Sequence, residues 1–200
     1  MKFRNKVWAG ALLFFGSTLW LLVEIVLESY QPGYVGSIHY VSSLGSGITA
    51  LPYNLSLILF GSCIIIASLF LQRAFEEKFF SLTLLITGIF VTGVGVFPET
   101  MPPMHGLFTG FTFIFAGLSA IFSYKILDNP FSYLSILIGI LSIAFLFIFF
   151  PYLGLAREST ETFIGLGKGT MERIIIYPVM FWIICFSGHL LRSDNLNIKK

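Results

Sequence analysis

Residues 28–54 read ESYQPGYVGSIHYVSSLGSGITALPYN, and after Glu28 no Asp, Glu, Lys or Arg follows until Arg73. The run from Tyr30 to Asn54 is polar and Gly-rich, and it lies between two apolar stretches. Long connections inside compact proteins are functional or disordered. Without charge to solvate it, this one is expected to be ordered and folded down onto a membrane-embedded bundle.

The surrounding composition fixes the class. Of 200 residues 56% are hydrophobic and 11% charged, with a mean hydropathy of +0.88, whereas soluble domains carry roughly 25% charged residues. Six stretches are long and apolar enough for a hydrocarbon core that needs roughly 20 residues per helix. They cover about 7–28, 53–71, 79–97, 105–127, 131–153 and 174–191. The runs are continuously apolar instead of alternating, which excludes a transmembrane β-barrel. The expected fold is all-α, one six-helix transmembrane bundle over 1–200, multi-pass in the cell membrane. The first span has basic flanks but is longer than a signal h-region and is followed by no small-x-small site, so it is read as a retained anchor.

An even number of spans puts both termini on one side. Lys2, Arg4, Lys6, Arg73, Lys78, Lys125, Arg192, Lys199 and Lys200 fall on that side, against Arg157, Lys168 and Arg173 on the other. The positive-inside rule makes the termini cytoplasmic and turns the loops 29–52, 98–104 and 154–172 outward. The third loop, with Glu158, Ser159, Thr160, Glu161 and three glycines, reads as the looser one. Its Gly165 to Thr170 segment lacks the strand and the Gly-Lys-Ser/Thr ending of a phosphate loop and reads as a flexible Gly-rich connection. Trp8, Tyr30, Tyr53, Tyr124, Tyr152 and Tyr177 sit near span ends, where an aromatic belt would place them. Gly106 and Gly110 form a G-x-x-x-G step that is expected to serve close helix packing. Cys63 and Cys185 fall mid-span and read as small apolar fillers.

Candidate chemistry gathers at the outer ends. Glu24 is the carboxylate inside a span, one turn from Glu28 on the same helical face, and an ionisable group at that depth is a functional hypothesis by default. His39, Ser42 and Ser43 lie in the first loop, Pro98 and Glu99 in the second, His105 opens span four, and Glu172 with Arg173 opens span six. If the bundle is compact, Glu24, Glu28, His39, Ser42, His105, Glu172 and Arg173 rim one polar pocket. Its chemistry stays open at the level of sequence. His39 and His105 with a carboxylate are weak candidates for a metal, since no H-x-x-H, H-E-x-x-H or C-x-x-C spacing is present. A serine nucleophile at Ser42 or Ser43 lacks a nucleophile elbow, and axial haem ligation by the two histidines lacks any attachment motif. The blandest reading is a structural network in which Arg173 or a histidine neutralises the acids.

Several of these residues also carry a resemblance. Glu28-Ser-Tyr30-Gln-Pro32-Gly33-Tyr34, His39-Tyr-Val-Ser42-Ser-Leu44-Gly45, Gly95-Val-Phe97-Pro98 with His105 beyond it, and Gly169-Thr-Met-Glu172-Arg173-Ile174 with Tyr177-Pro178 are involved. In this order across six spans they resemble the domain of unknown function 998 family over nearly the whole chain. The resemblance implies a small prokaryotic six-helix membrane protein whose shared polar features are the outer-face Glu, His and Glu-Arg positions. It implies no activity. Ser43 departs from the pattern, standing where an acidic residue is common before Leu-Gly.

The function expected from these readings is non-enzymatic: binding of a lipid head group or a partner protein, in one version as an accessory subunit of a larger membrane complex. Membrane lipids and other membrane subunits are the expected partners, with no nucleic acid and no cofactor. A metal-dependent enzyme acting on a lipid or other amphiphile is the first alternative, and proton or ion transport through Glu24 the second.

Overall fold

Apolar runs in lipid must satisfy their own backbone, and every expected span is helical for that reason. The computed structural model describes residues 1–152, 155 and 159–192. Arg157, Glu158, Lys199 and Lys200, used above in the charge and loop arguments, lie outside the described residues. The helices are α1 (Lys2–Tyr30), α2 (Ala50–Phe75), α3 (Lys78–Val96), α4 (Pro102–Phe122), α5 (Phe131–Phe149) and α6 (Lys168–Leu191), all six long and apolar enough to cross a membrane. Each packs on its neighbours in the chain, and α6 returns to α1, so the ring of helices closes. Its axis is filled by large side chains: Phe80 of α3 meets Phe186 of α6 edge-on at 5.5 Å, and Trp182 stacks on Phe186 at 5.4 Å.

Ion pairs fix which turns share an end. Lys2 Nζ lies 2.6 Å from Glu76, and Lys125 Nζ lies 3.6 Å from Glu77, which brings the start of α1, the α2–α3 turn and the α4–α5 turn together. These pairs are at the surface, where water and salt screen them, so they mark which turns meet without holding the fold together. At the opposite end lie the long loop 31–49, the short 97–101 loop and a two-stranded hairpin, β1 (Thr162–Phe163) with β2 (Leu166–Gly167). This is called the lid end below.

Three expectations are corrected here. The Gly165 to Thr170 segment is not a loose connection: Ile164 and Gly165 take positive φ as the hairpin tip, and α6 begins at Lys168, six residues before the expected boundary. The order comes from Tyr152, whose hydroxyl accepts the Phe163 N–H at 2.7 Å and donates to the Leu166 carbonyl at 2.5 Å. Tyr53 and Tyr152 are buried instead of standing in a belt, while Trp8, Tyr30 and Tyr124 are exposed as a belt requires. At Gly106 and Gly110 an added Cβ would meet nothing within 4 Å among the described residues, so this G-x-x-x-G step brings none of the six helices close. The close approach of α4 to α5 occurs instead at Gly117, where a Cβ would meet Ile143 at 2.7 Å and the Gly139 carbonyl at 3.1 Å. Within α6, Pro178 has no N–H to return to Ile174, and the adjacent Ile175 carbonyl accepts from Ser142 of α5 at 3.0 Å.

Candidate functional site: a clamped lid over two cavities

The uncharged loop that opened the sequence argument is folded onto the bundle. Residues Val41–Gly45 form a buried 3-10 turn, followed by a second at Gly47–Thr49. The Thr49 hydroxyl donates to the Leu44 carbonyl at 2.7 Å, and the Asn54 side-chain amide donates to the Gly45 carbonyl at 3.0 Å, so local polar groups replace the solvent the loop has lost. Gly47 supplies the left-handed backbone (φ +68°) that joins the two turns.

Two consecutive residues of α6 grip this lid from different sides. Arg173 donates through Nη1 to the carbonyls of Gly36 (2.6 Å) and Gly169 (2.9 Å), and through Nη2 to the Tyr34 hydroxyl (2.7 Å) and to Glu28 of α1, with which it forms an ion pair. Glu172 accepts the N–H of Val41. The approach is possible because Gly169, one turn earlier, has no side chain: a Cβ there would run into the carbonyl oxygens of His39 and Gly36. Tyr34 in turn donates to the Tyr40 carbonyl at 3.0 Å, and Tyr40 donates to the Tyr152 carbonyl at 2.8 Å. Burial pushes the phenols of Tyr34 and Tyr40 well above the usual tyrosine range. Beside them Lys168, 1% exposed, donates to the Ser159 carbonyl at 2.9 Å and sits 5.3 Å over the Tyr40 ring.

Glu24 lies below the clamp and is fully buried. Its Oε1 accepts the Tyr177 hydroxyl at 2.8 Å, and its Oε2 has no hydrogen-bond partner among the described residues. His39 belongs to the clamp side as well. Its Nδ1 accepts the Val35 N–H at 2.9 Å and its ring stacks on Tyr34, with 5.5 Å between centroids.

On the other side of Glu172 the lid covers open space. A cavity of about 430 Å³ has a polar wall of Tyr40, Ser42, Glu99, Thr100, His105 and Glu172. Facing them are Phe113 of α4, Leu146 and Phe149 of α5, and Leu155, with Gly106 and Gly110 leaving the α4 surface bare. His105 is held in one orientation. A carbonyl can only accept, so the 2.9 Å contact with Phe97 O puts the proton on Nδ1; in the neutral ring Nε2 then accepts the Thr109 hydroxyl at 3.3 Å. A second chamber of about 90 Å³ adjoins the first through Ser42, Thr109, Phe113 and Glu172 and runs between the helices toward Trp182. Trp20 and Thr112 line it, and neither the Trp20 indole N–H nor the Thr112 hydroxyl has a partner among the described residues. Such a space has room for a few waters.

The seven residues expected to rim one pocket therefore fall into two adjoining groups. Ser42, His105 and Glu172 face the large cavity. Glu28 and Arg173 are joined to each other in the clamp, while Glu24, His39, Glu28 and Arg173 line neither cavity. Among the described residues there is no group of three or more His, Cys, Asp or Glu that could hold a metal ion. Sequence reasoning gave no site role to Tyr34, Tyr40, Tyr177 or Thr109. Thr109 stands four residues after His105, a spacing that puts both on one helical face, and this was the signal available.

Six apolar helices closed into a ring, with an ordered polar lid clamped over one end, define a polytopic α-helical membrane protein. The family model described as "Protein of unknown function (DUF998)" matches residues 9–189, and the chain belongs to that family. Neither a curated protein nor a solved structure matches it.

Proposed function

We propose that this protein binds the head group of a membrane amphiphile in the cavity beneath the lid, without chemical conversion. The observation that carries this reading is the two-sided lining of the 430 Å³ space. Glu99, His105, Ser42 and Glu172 offer polar contacts at one wall, and Phe113, Leu146, Phe149 and Leu155 offer an apolar one. Ligand sites have this character, mostly apolar with a few placed polar groups. The excess of Lys and Arg at the opposite end supports an outward-facing lid and hence a ligand from the outer leaflet of the cell membrane. Apolar helix surface also supports the accessory-subunit version, although lipid alone accounts for it.

The test is native mass spectrometry of protein purified in mild detergent. A bound lipid in the wild type, absent from Gly110→Leu, is the expected result, because the new side chain would occupy the cavity where a Cβ meets nothing within 4 Å. Equal lipid retention by a folded Gly110→Leu protein overturns the reading.

One observation favours a second reading, hydrolysis of an acyl ester. The Phe97 carbonyl, His105 and Thr109 form a chain of orienter, base and hydroxyl along the cavity wall, the arrangement a nucleophile requires. An acyl- or phosphonyl-transferring probe that labels the wild type and spares Thr109→Val supports it; no labelling of folded wild type removes it.

A further inference from the structure

Resting on the amphiphile-binding reading, we propose that the cavity selects a head group that carries an ammonium, and disfavours one whose only charge is a phosphate. The charged side chains lining the two cavities are Glu99 and Glu172, with no Lys or Arg among the described lining residues. The two cations at the start of α6 are committed elsewhere. Arg173 is held by Glu28, Tyr34 and the Gly36 carbonyl on the far side of the lid, and Lys168 is buried against Ser159 and the Tyr40 ring. Nor does His105 supply the missing donor, since its Nδ1 proton is given to Phe97 O and its Nε2 receives the Thr109 hydroxyl. A phosphate entering this space would meet two acidic side chains and no Lys or Arg among the described lining residues. An ammonium would meet the carboxyl groups of Glu99 and Glu172 and the aromatic walls of Phe113 and Phe149, a setting that favours cations.

The inner chamber adds an independent observation. Trp20 is 3% exposed and lines it, yet its indole N–H has no acceptor among the described residues. A buried donor left unpaired costs about 1–3 kcal/mol. A ligand whose ester or amide carbonyl reached past Ser42 and Thr109 would satisfy it, which fits an ammonium-headed acyl amphiphile better than a bare inorganic cation.

The experiment uses the full chain, delipidated and reconstituted in nanodiscs, with three probes bearing the same two oleoyl chains at low mole fraction: a trimethylammonium-propane lipid, phosphatidylcholine and phosphatidylglycerol. Binding is read by tryptophan fluorescence and native mass spectrometry. The expected order is cationic, then zwitterionic, then anionic, with roughly tenfold between the first and last, the size expected for a favourable against an unfavourable charge contact. Glu99→Gln, checked for an unchanged melting temperature, narrows that ratio. Phosphatidylglycerol binding as tightly as the cationic lipid, with binding still lost in Gly110→Leu, overturns the ammonium selectivity and leaves amphiphile binding standing. Binding of none of the three, or binding that Gly110→Leu does not alter, overturns amphiphile binding itself. Displacement by free choline at millimolar concentration supports the ammonium chemistry and assigns it to a soluble cation; failure of choline to compete assigns it to the lipid. The lipid ranking itself is measured on the wild-type chain, so the test of selectivity does not depend on any variant folding.

Discussion

The two sides of the lid end are built from the same kinds of residue and do opposite things. Around Arg173 the polar groups are turned on one another: the guanidinium meets a carboxylate, a phenol and two backbone carbonyls. Around His105 of α4, on the cavity side of Glu172, the polar groups are oriented by neighbours yet still face a cavity of about 430 Å³. Closure on one side is what allows openness on the other, because the lid can bridge empty space only if it is fastened at its edge. The Glu172-Arg173 pair, adjacent in sequence and about 100° apart around a helix, divides these tasks between the two faces.

Cutting the fastening should have the largest effect. Arg173→Met would leave Glu28 with a partly buried, unpaired carboxylate and strand the Gly36 and Gly169 carbonyls and the Tyr34 hydroxyl. Breaking a buried pair from one side costs about 3–5 kcal/mol. A melting temperature in detergent far below wild type, with partial recovery in Arg173→Lys, is expected. A wild-type melting curve for Arg173→Met would show that the lid is held by something other than this clamp.

Next comes a contrast between two glycines. Gly169→Ala drives a methyl into the carbonyls of His39 and Gly36, both backbone atoms that cannot swing away, and overpacking of this kind costs about 1–3 kcal/mol. Gly110→Ala places the same methyl in open space and gains helix propensity of up to about 1 kcal/mol, so its stability should equal or exceed that of wild type. Equal destabilisation of both would contradict the division into a tight and an open side.

Much of this plan is legible in the sequence, and the reasons for the rest are physical. Continuous apolar runs announce six helices because lipid leaves the backbone no alternative. The uncharged 30–54 stretch announces an ordered lid because nothing else explains the missing charge. What hydropathy does not carry is where a helix begins once polar residues become part of it. Lys168, Gly169 and Glu172 read as loop by composition, yet they form the first turns of α6 because the lid and Tyr40 receive the Glu172 and Lys168 side chains and Gly169 leaves room for the lid backbone. The same limit applies to tyrosines: Tyr152 and Tyr177 look like interface residues from their positions, and only the fold reveals the hairpin and the Glu24 carboxylate that their hydroxyls meet. For Gly106 and Gly110, spacing indicates that a surface is bare but not whether a helix or a cavity faces it.

A smaller effect separates the lid's own wiring from the clamp. Tyr34→Phe removes one bond to Arg173 and one to the Tyr40 carbonyl, an expected loss of about 1–2 kcal/mol. The phenol of Tyr34 is held above its ordinary value of 10.0 by burial, so its contribution is complete below about pH 10 and falls as pH rises beyond it. Wild-type stability should therefore decline on the alkaline side, with a shallower decline in Tyr34→Phe. Identical alkaline profiles for the two proteins would place the titration elsewhere.

The smallest effect concerns Glu24, which belongs to neither side. It is fully buried, and one of its oxygens accepts from Tyr177 while the other has no partner among the described residues. Glu24→Gln keeps an acceptor for Tyr177 and removes a carboxyl group from apolar surroundings, so stability should change by less than about 1 kcal/mol. Glu24→Leu, by contrast, strands the Tyr177 hydroxyl, for which a loss of about 1–3 kcal/mol is expected. If Glu24→Gln also abolished a proton or ion flux measured in liposomes, the carboxyl would be titrating in a transport cycle. Equal behaviour of Gln and Glu in both assays would instead assign Glu24 to the frame that carries Tyr177 and α6 beneath the clamp.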